Sequence, residues 1–130
     1  MPAPLGKTPT KKMPNIQVFG MDDSSATRNT LRFFRERRIV VHFVDLRKKP
    51  IAAGELRRFS DKLGAAALLD SDSRAYREQG LAYLSTDTAG ITQRLIADPR
   101  LLNLPLVRYG DEVTAGKAET IWKAWLARPK

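Results

Sequence analysis

The chain has 130 residues, 42% hydrophobic and 28% charged, which supports one globular domain with a proper core. It holds no cysteine and a single histidine, His42. Disulfide scaffolds, thiolate metal sites, thiol redox chemistry and a histidine-based metal site are thereby excluded.

Residues 1–15 are rich in Pro, Lys and Thr, carry Lys7, Lys11 and Lys12, and show no apolar period. They read as a disordered basic leader, with residues 16–130 as the single domain. No apolar run is long enough to cross a membrane and no stretch has a signal-peptide layout, so the expected location is cytoplasmic. Residues 16–19 form a short apolar strand, Gly20 a turn, and Ser24 or Ser25 the N-cap of a long helix. A strand running into a capped helix start aims free N–H groups and the positive dipole end at one spot, where a serine stands. The helix over 24–37 turns Thr27, Leu31 and Phe34 inward, with Arg28, Arg32 and Arg35 on the neighbouring side. Residues 39–46 are apolar almost throughout, which predicts a strand covered on both faces. His42 has no partner for catalysis nearby and reads as a packed or hydrogen-bonded sheet residue. Arg47, Lys48, Lys49 and Pro50 end that strand.

A second helix over 53–63 carries Leu56, Phe59 and Leu63 inward and stops at Gly64. A short helical turn over 65–69 leads to the capping run 70–73 and a helix near 74–79 that Gly80 closes. Thr86 or Asp87 caps a further helix with Ile91, Leu95 and Ile96 apolar, ending at Asp98 and Pro99. Residues 51–102 are therefore a helical insert. The period then changes: 104–109 alternate as a strand, Gly110 and Asp111 signal a hairpin, and 112–114 answer it. Pro105 is a candidate cis-proline. Gly116 precedes the last helix, whose Ala118, Ile121, Trp122 and Trp125 make one apolar stripe of core residues. The crossover rule makes the first two strands parallel and the hairpin makes the last two antiparallel. The fold class is α/β, a four-stranded mixed sheet with helices on both faces.

The order of elements and several phrases resemble the arsenate reductase (ArsC) family of the thioredoxin fold, which includes the Spx-type regulators that bind bacterial RNA polymerase. The phrases are Ala67-Leu68-Leu69 with Tyr76-Arg77 and Gly80-Leu81, then Asp98-Pro99-Arg100-Leu101-Leu102, Pro105 and Gly116. In that family a Cys, or a Cys-x-x-Cys pair followed by Arg, opens the first helix; here Ser24, Thr27 and Arg28 stand in those places. The resemblance makes Pro105 the cis-proline beside the site. The family's oxyanion-holding arginines correspond to Asp70, Leu104 and Lys117, so Lys117 alone keeps a positive charge. Asp22 and Asp23 stand just before the helix start and would repel an anion.

Arsenate reduction and disulfide exchange by the chain's own groups are excluded on chemistry, so Ser24, Thr27, Arg28 and Pro105 form a vestigial site. No cofactor and no metal are expected. The net charge is +9, and residues 28–50 hold eight basic residues against Glu36 and Asp45. That patch suits an acidic protein surface or a nucleic-acid backbone, the latter without aromatic interleaving; its bland alternative is a solvated face that keeps the protein soluble. The expected function is a redox-inactive binding or regulatory module. Its contact surface is Arg28, Arg32, Arg35, Arg47, Lys48 and Lys49, and the resemblance suggests RNA polymerase as partner. The alternative is a glutathione-binding, transferase-like enzyme in which Ser24 holds a bound thiol.

Overall fold

The computed structural model describes residues 16–81 and 88–127. The expected leader over 1–15 and the expected cap at Thr86 or Asp87 lie outside the described residues. In chain order the elements are β1 (Ile16–Gly20), α1 (Ser25–Glu36), β2 (Val41–Asp45), α2 (Ala53–Leu63), a 3-10 turn (Ala65–Leu68), α3 (Arg74–Glu78), α4 (Thr88–Ala97), a second 3-10 turn (Pro99–Leu101), β3 (Leu106–Tyr109), β4 (Glu112–Ala115) and α5 (Glu119–Leu126). The sheet runs β2-β1-β3-β4. β1 is parallel to β2, with Val18 opposite Phe43, and antiparallel to β3, with Val18 opposite Val107. β3 and β4 form the antiparallel hairpin. This is the mixed α/β sheet that the sequence predicts.

Strand alternation divides the core in two. Ile16, Val18, Val107 and Tyr109 face α1 and α5 and meet Phe33, Phe34, Trp122 and Trp125. Phe19 and Leu106 face the other way, against Leu56 and Phe59 of α2 and Leu68, Leu95 and Leu101 of the insert. Both tryptophans are 1% exposed, and burying a large apolar side chain contributes about 1.5–3 kcal/mol. Their ring N–H groups remain paired: Trp122 Nε1 donates to Thr114 Oγ1 at 2.9 Å and Trp125 Nε1 to Glu112 Oε1 at 3.2 Å. Burial and hydrogen bonding thus fasten α5 to β4.

The insert begins and ends at one place. Leu69 bridges Leu102, Asp70 N–H donates to Leu101 O and Asn103 N–H to Leu68 O, each at 2.8 Å. Gly64 ends α2 at φ +85°, a left-handed conformation that favours glycine. On the far face, Arg108 Nε of β3 lies 3.0 Å from Glu55 Oε2 of α2. The approach is out of line for a hydrogen bond, so the pair is an ion contact that ties α2 to the sheet.

Several expectations need correction. β2 is an edge strand and only partly covered, with Val41 and Phe43 packed against one core cluster and Val44 against the other; His42 is exposed and is the hydrogen-bonded sheet residue of the two expected forms, its Nδ1 3.5 Å from Gln17 Nε2. Its apolar run matches a central strand in composition, but with β1 as its one described neighbour the outer row of main-chain groups has no strand to pair with. Ile39 precedes the strand and Val40 is 88% exposed. α1 also buries Thr30 and Phe33 beside the expected Thr27 and Phe34, while Leu31 packs against the core at its half-buried rim. Leu63 of α2 likewise packs against the core at its rim, as expected. Ile121 is 48% exposed because α5 turns Trp122 and Trp125 inward, and a neighbour one position along a helix points about 100° away.

Candidate functional site

The site forms where β1 runs into α1. Met21 O accepts Ser24 N–H at 3.0 Å, which closes the turn after Gly20. Ser24 then has an extended backbone (φ −84°, ψ 121°), and its Oγ accepts Thr27 N–H at 3.2 Å. This is an N-cap made by the first of the two serines. No described residue accepts the Ser24 O–H proton, so the hydroxyl is free to donate.

Thr27 is fully buried, and its Oγ1 accepts Met21 N–H at 3.3 Å. The side chain therefore braces the turn from behind and offers no reactive face. Gly20 packs against it; a Cβ at Gly20 would lie 2.7 Å from Thr27 Cγ2. Arg28 Nη1 donates to the main-chain oxygen of Asp22 at 3.0 Å.

The two carboxylates before the helix are paired from another loop. Arg47 Nη1 lies 3.2 Å from Asp22 Oδ1 and 3.6 Å from Asp23 Oδ2, joining the β2–α2 connection to the β1–α1 turn. All three side chains are more than half exposed, so the cluster contributes at most about 1 kcal/mol. Its electrostatic effect is local neutralisation. The sequence marks Asp22 and Asp23 as repelling an anion, yet it cannot show a cation that arrives from 25 residues away.

Continuing the β1–β3 register by one step sets Pro105 opposite Gly20, at the end of β1 where α1 starts. The Leu104–Pro105 bond is cis, Pro105 is buried, and its carbonyl accepts Gly116 N–H at 2.9 Å. Of the three positions that the resemblance sets against oxyanion-holding arginines, Leu104 is buried and Asp70 caps its own turn by accepting Asp72 N–H at 3.0 Å. Lys117 is exposed and borders a groove of about 550 Å³ between α1 and the start of α5. Arg32 enters the same groove, over a floor of Phe33 and Trp122, with Glu36 and Glu119 as opposing charges. The structure so joins Lys117 to the arginine face of α1. Lys117 and Arg32 lie far apart in sequence, and nothing local in either stretch announces that they line one groove with the two glutamates.

The six basic residues expected to form the contact surface fall into two groups. Arg28, Arg32, Arg35, Lys48 and Lys49 are exposed and in no ion pair with the described residues, whereas Arg47 is engaged as above. Arg38 is a further exposed cation that the helical stripe does not include, at φ +60° in the turn after α1. Arg37 stacks on Phe33, its guanidinium carbon 3.8 Å from the ring centroid. Among the described residues no group of acidic or histidine side chains is arranged to hold a metal ion, and no helix is long and apolar enough to cross a membrane.

Ser24 cannot become a nucleophile in this setting. An alcohol holds its proton far more tightly than a thiol, with a pKa far above neutral. A helix terminus supplies at most about 2 kcal/mol, equivalent to about 1.5 pKa units. A general base would have to provide the rest. His42 is opposite Gln17 in the register, three positions short of the Gly20 end, which is about 10 Å along the strand.

Comparison with known proteins agrees with this architecture. A profile of the ArsC family matches residues 19–125. Among solved structures, the YFFB (PA3664) protein superposes with a TM-score of 0.81 at 18% identity, covering 87% of this chain and 100% of its own. An arsenate reductase from Vibrio cholerae gives 0.75 at 17% identity, covering 86% and 98%. An arsenate reductase (ArsC) related protein from Brucella melitensis gives 0.65 at 17%, covering 88% and 96%. These likenesses establish the thioredoxin-like ArsC fold. Among curated proteins, none matches the chain significantly.

Proposed function

The chain belongs to the ArsC family, and from that premise we propose that it is a redox-inactive member that acts by binding an acidic protein surface. The observation that carries this reading is the fate of the two positions at which the family places cysteines. One is Ser24, spent on capping α1; the other is Thr27, buried and bonded to Met21 N–H. A thiol at such a helix start has its pKa lowered from the free value of about 8.5 and ionises readily near neutral pH; the alcohol here does not. What remains is a rigid frame that displays Arg28, Arg32, Arg35, Lys48 and Lys49 to solvent. The resemblance to Spx-type regulators makes bacterial RNA polymerase the first partner to test.

The test is capture of partners from native cell extract at moderate salt, with purified RNA polymerase in parallel. Replacing Arg32, Arg35 and Lys48 by Glu, all exposed and unpaired, is expected to abolish co-purification while leaving the circular dichroism spectrum unchanged. Unchanged capture refutes the reading. Capture of nucleic acid that weakens steeply with salt would replace the protein partner by a phosphate backbone.

The free Ser24 O–H supports a second reading, in which the hydroxyl donates to the thiolate of bound glutathione. A saturable change in tryptophan fluorescence on glutathione titration, lost in Ser24→Ala, would favour it over the binding module.

A further inference from the structure

β2 is an outer strand whose hydrogen-bonded neighbour is β1, and no other described strand lies beside it. In a sheet pair the main-chain groups of alternate residues point toward the neighbour and those between point away. Leu46 N–H donates to Gly20 O at 2.8 Å. By alternation His42 and Val44 also face β1, so Val41 and Phe43 hold their N–H and C=O groups outward. Natural proteins shield such edges with prolines, bulges or lysines inside the strand. β2 has none of these: it pairs with β1 in unbroken register from Val41 to Asp45. Its Val41, Phe43 and Val44 side chains are half-buried, and Val40 just before it is 88% exposed. The edge carries Val41 and Phe43 on one face and Val44 beside the exposed His42 on the other, and it is open to a further strand.

Charge selects what fits there. Arg35 and Arg38 precede the strand and Lys48 and Lys49 follow it, all exposed and in no ion pair with the described residues. A second copy pairing antiparallel would bring one molecule's Arg38 end against the other's Lys48 end. The chain's own residues 1–15 carry Lys7, Lys11 and Lys12 and no acidic residue. Both would be repelled. We propose that the outer edge of β2 receives an extended segment of a partner protein as a fifth strand, apolar in its middle and acidic at both ends. The proposal rests on the acidic-partner reading above and adds the form in which that partner is recognised. Main-chain pairing along about 17 Å of strand supplies the affinity, and the basic ends select the sequence.

The experiment titrates the isotope-labelled full chain with the acetylated peptide Glu-Glu-Val-Thr-Val-Thr-Glu-Glu. Controls are the same peptide N-methylated at its four middle residues and a version with lysines at the ends. The amides of Val41 and Phe43 are expected to shift and to exchange at least tenfold more slowly at saturation. Both controls should bind at least tenfold more weakly. Val41→Pro, which removes an outward N–H and none that faces β1, should weaken the first peptide as much. Equal binding of the N-methylated peptide, or shifts confined to α1, overturns the added strand and leaves the acidic-partner reading standing. No shift at millimolar peptide also overturns it, while the reading beneath stands or falls separately on the charge-reversal capture.

Discussion

Gly20 and Thr27 touch so closely that no other residue fits at position 20: a Cβ there would stand 2.7 Å from Thr27 Cγ2 and nearer still to its hydroxyl. The contact sets the end of β1 against the first turn of α1, and the Thr27–Met21 bond closes it. Gly20→Ala should therefore cost about 1–3 kcal/mol, the range for overpacking a tight interior. Urea unfolding of the variant measures this, and a loss below about 0.5 kcal/mol would mean that the turn gives way freely.

Ser24 is tested by two replacements. Ser24→Ala removes the cap and should lower stability by about 0.5–2 kcal/mol. Ser24→Cys places a thiol at the same helix start, where its pKa should fall below the free value of about 8.5. The pH dependence of alkylation reads this directly. Arsenate turnover should not return with it, because Asp70 and Leu104 supply no cation beside Lys117.

The hydrogen bond from Trp122 to Thr114 is buried at both ends, with Thr114 3% exposed. Thr114→Val keeps the shape and orphans the indole N–H, at a cost of about 1–3 kcal/mol. Thr114→Ser, which retains an acceptor, should recover part of that loss. Equal stability of the two variants would show that the bond contributes nothing.

Asp98 caps the second 3-10 turn. Its carboxylate is held below the usual range chiefly by the hydrogen bond from the Arg100 side chain, against the opposing effect of burial, with the Arg100 main-chain N–H and Gln79 adding to it. A lowered folded pKa means stability that is complete above the unfolded value of about 3.9 and lost as pH falls through the folded one. Asp98→Ala should lower stability at pH 7 by about 0.5–2 kcal/mol, and the gap from the parent should narrow below about pH 4. A gap of constant size down to pH 2 would contradict this origin.

Where local chemistry decides the outcome, the sequence was enough to read it. Gly64 ends α2, Ser24 and Ser73 cap α1 and α3, and Gly110 with Asp111 turns the hairpin, because each acts on neighbours within four residues. The cis bond at Pro105 was likewise legible from its place at the head of a strand. What escaped depends on partners far along the chain. β2 has the composition of a central strand, and only the crossover of β3 to the other side of β1 leaves it at the edge. The pairing of Arg47 with Asp22 and Asp23, and the shared groove of Arg32 and Lys117, depend on how separate elements are packed together. For Ile121, an apolar residue beside two tryptophans looks like core until the helix is fixed in rotation.

The bonds joining residues 68–70 to 101–103 set a fixed doorway through which the chain leaves the sheet and returns. Extra sequence spliced at the exposed Asp72, beyond that threshold, would lengthen the excursion without displacing the strands, since closure entropy grows slowly with length. A reporter domain carried there would leave the arginine helix, on the opposite face of the sheet, as it is.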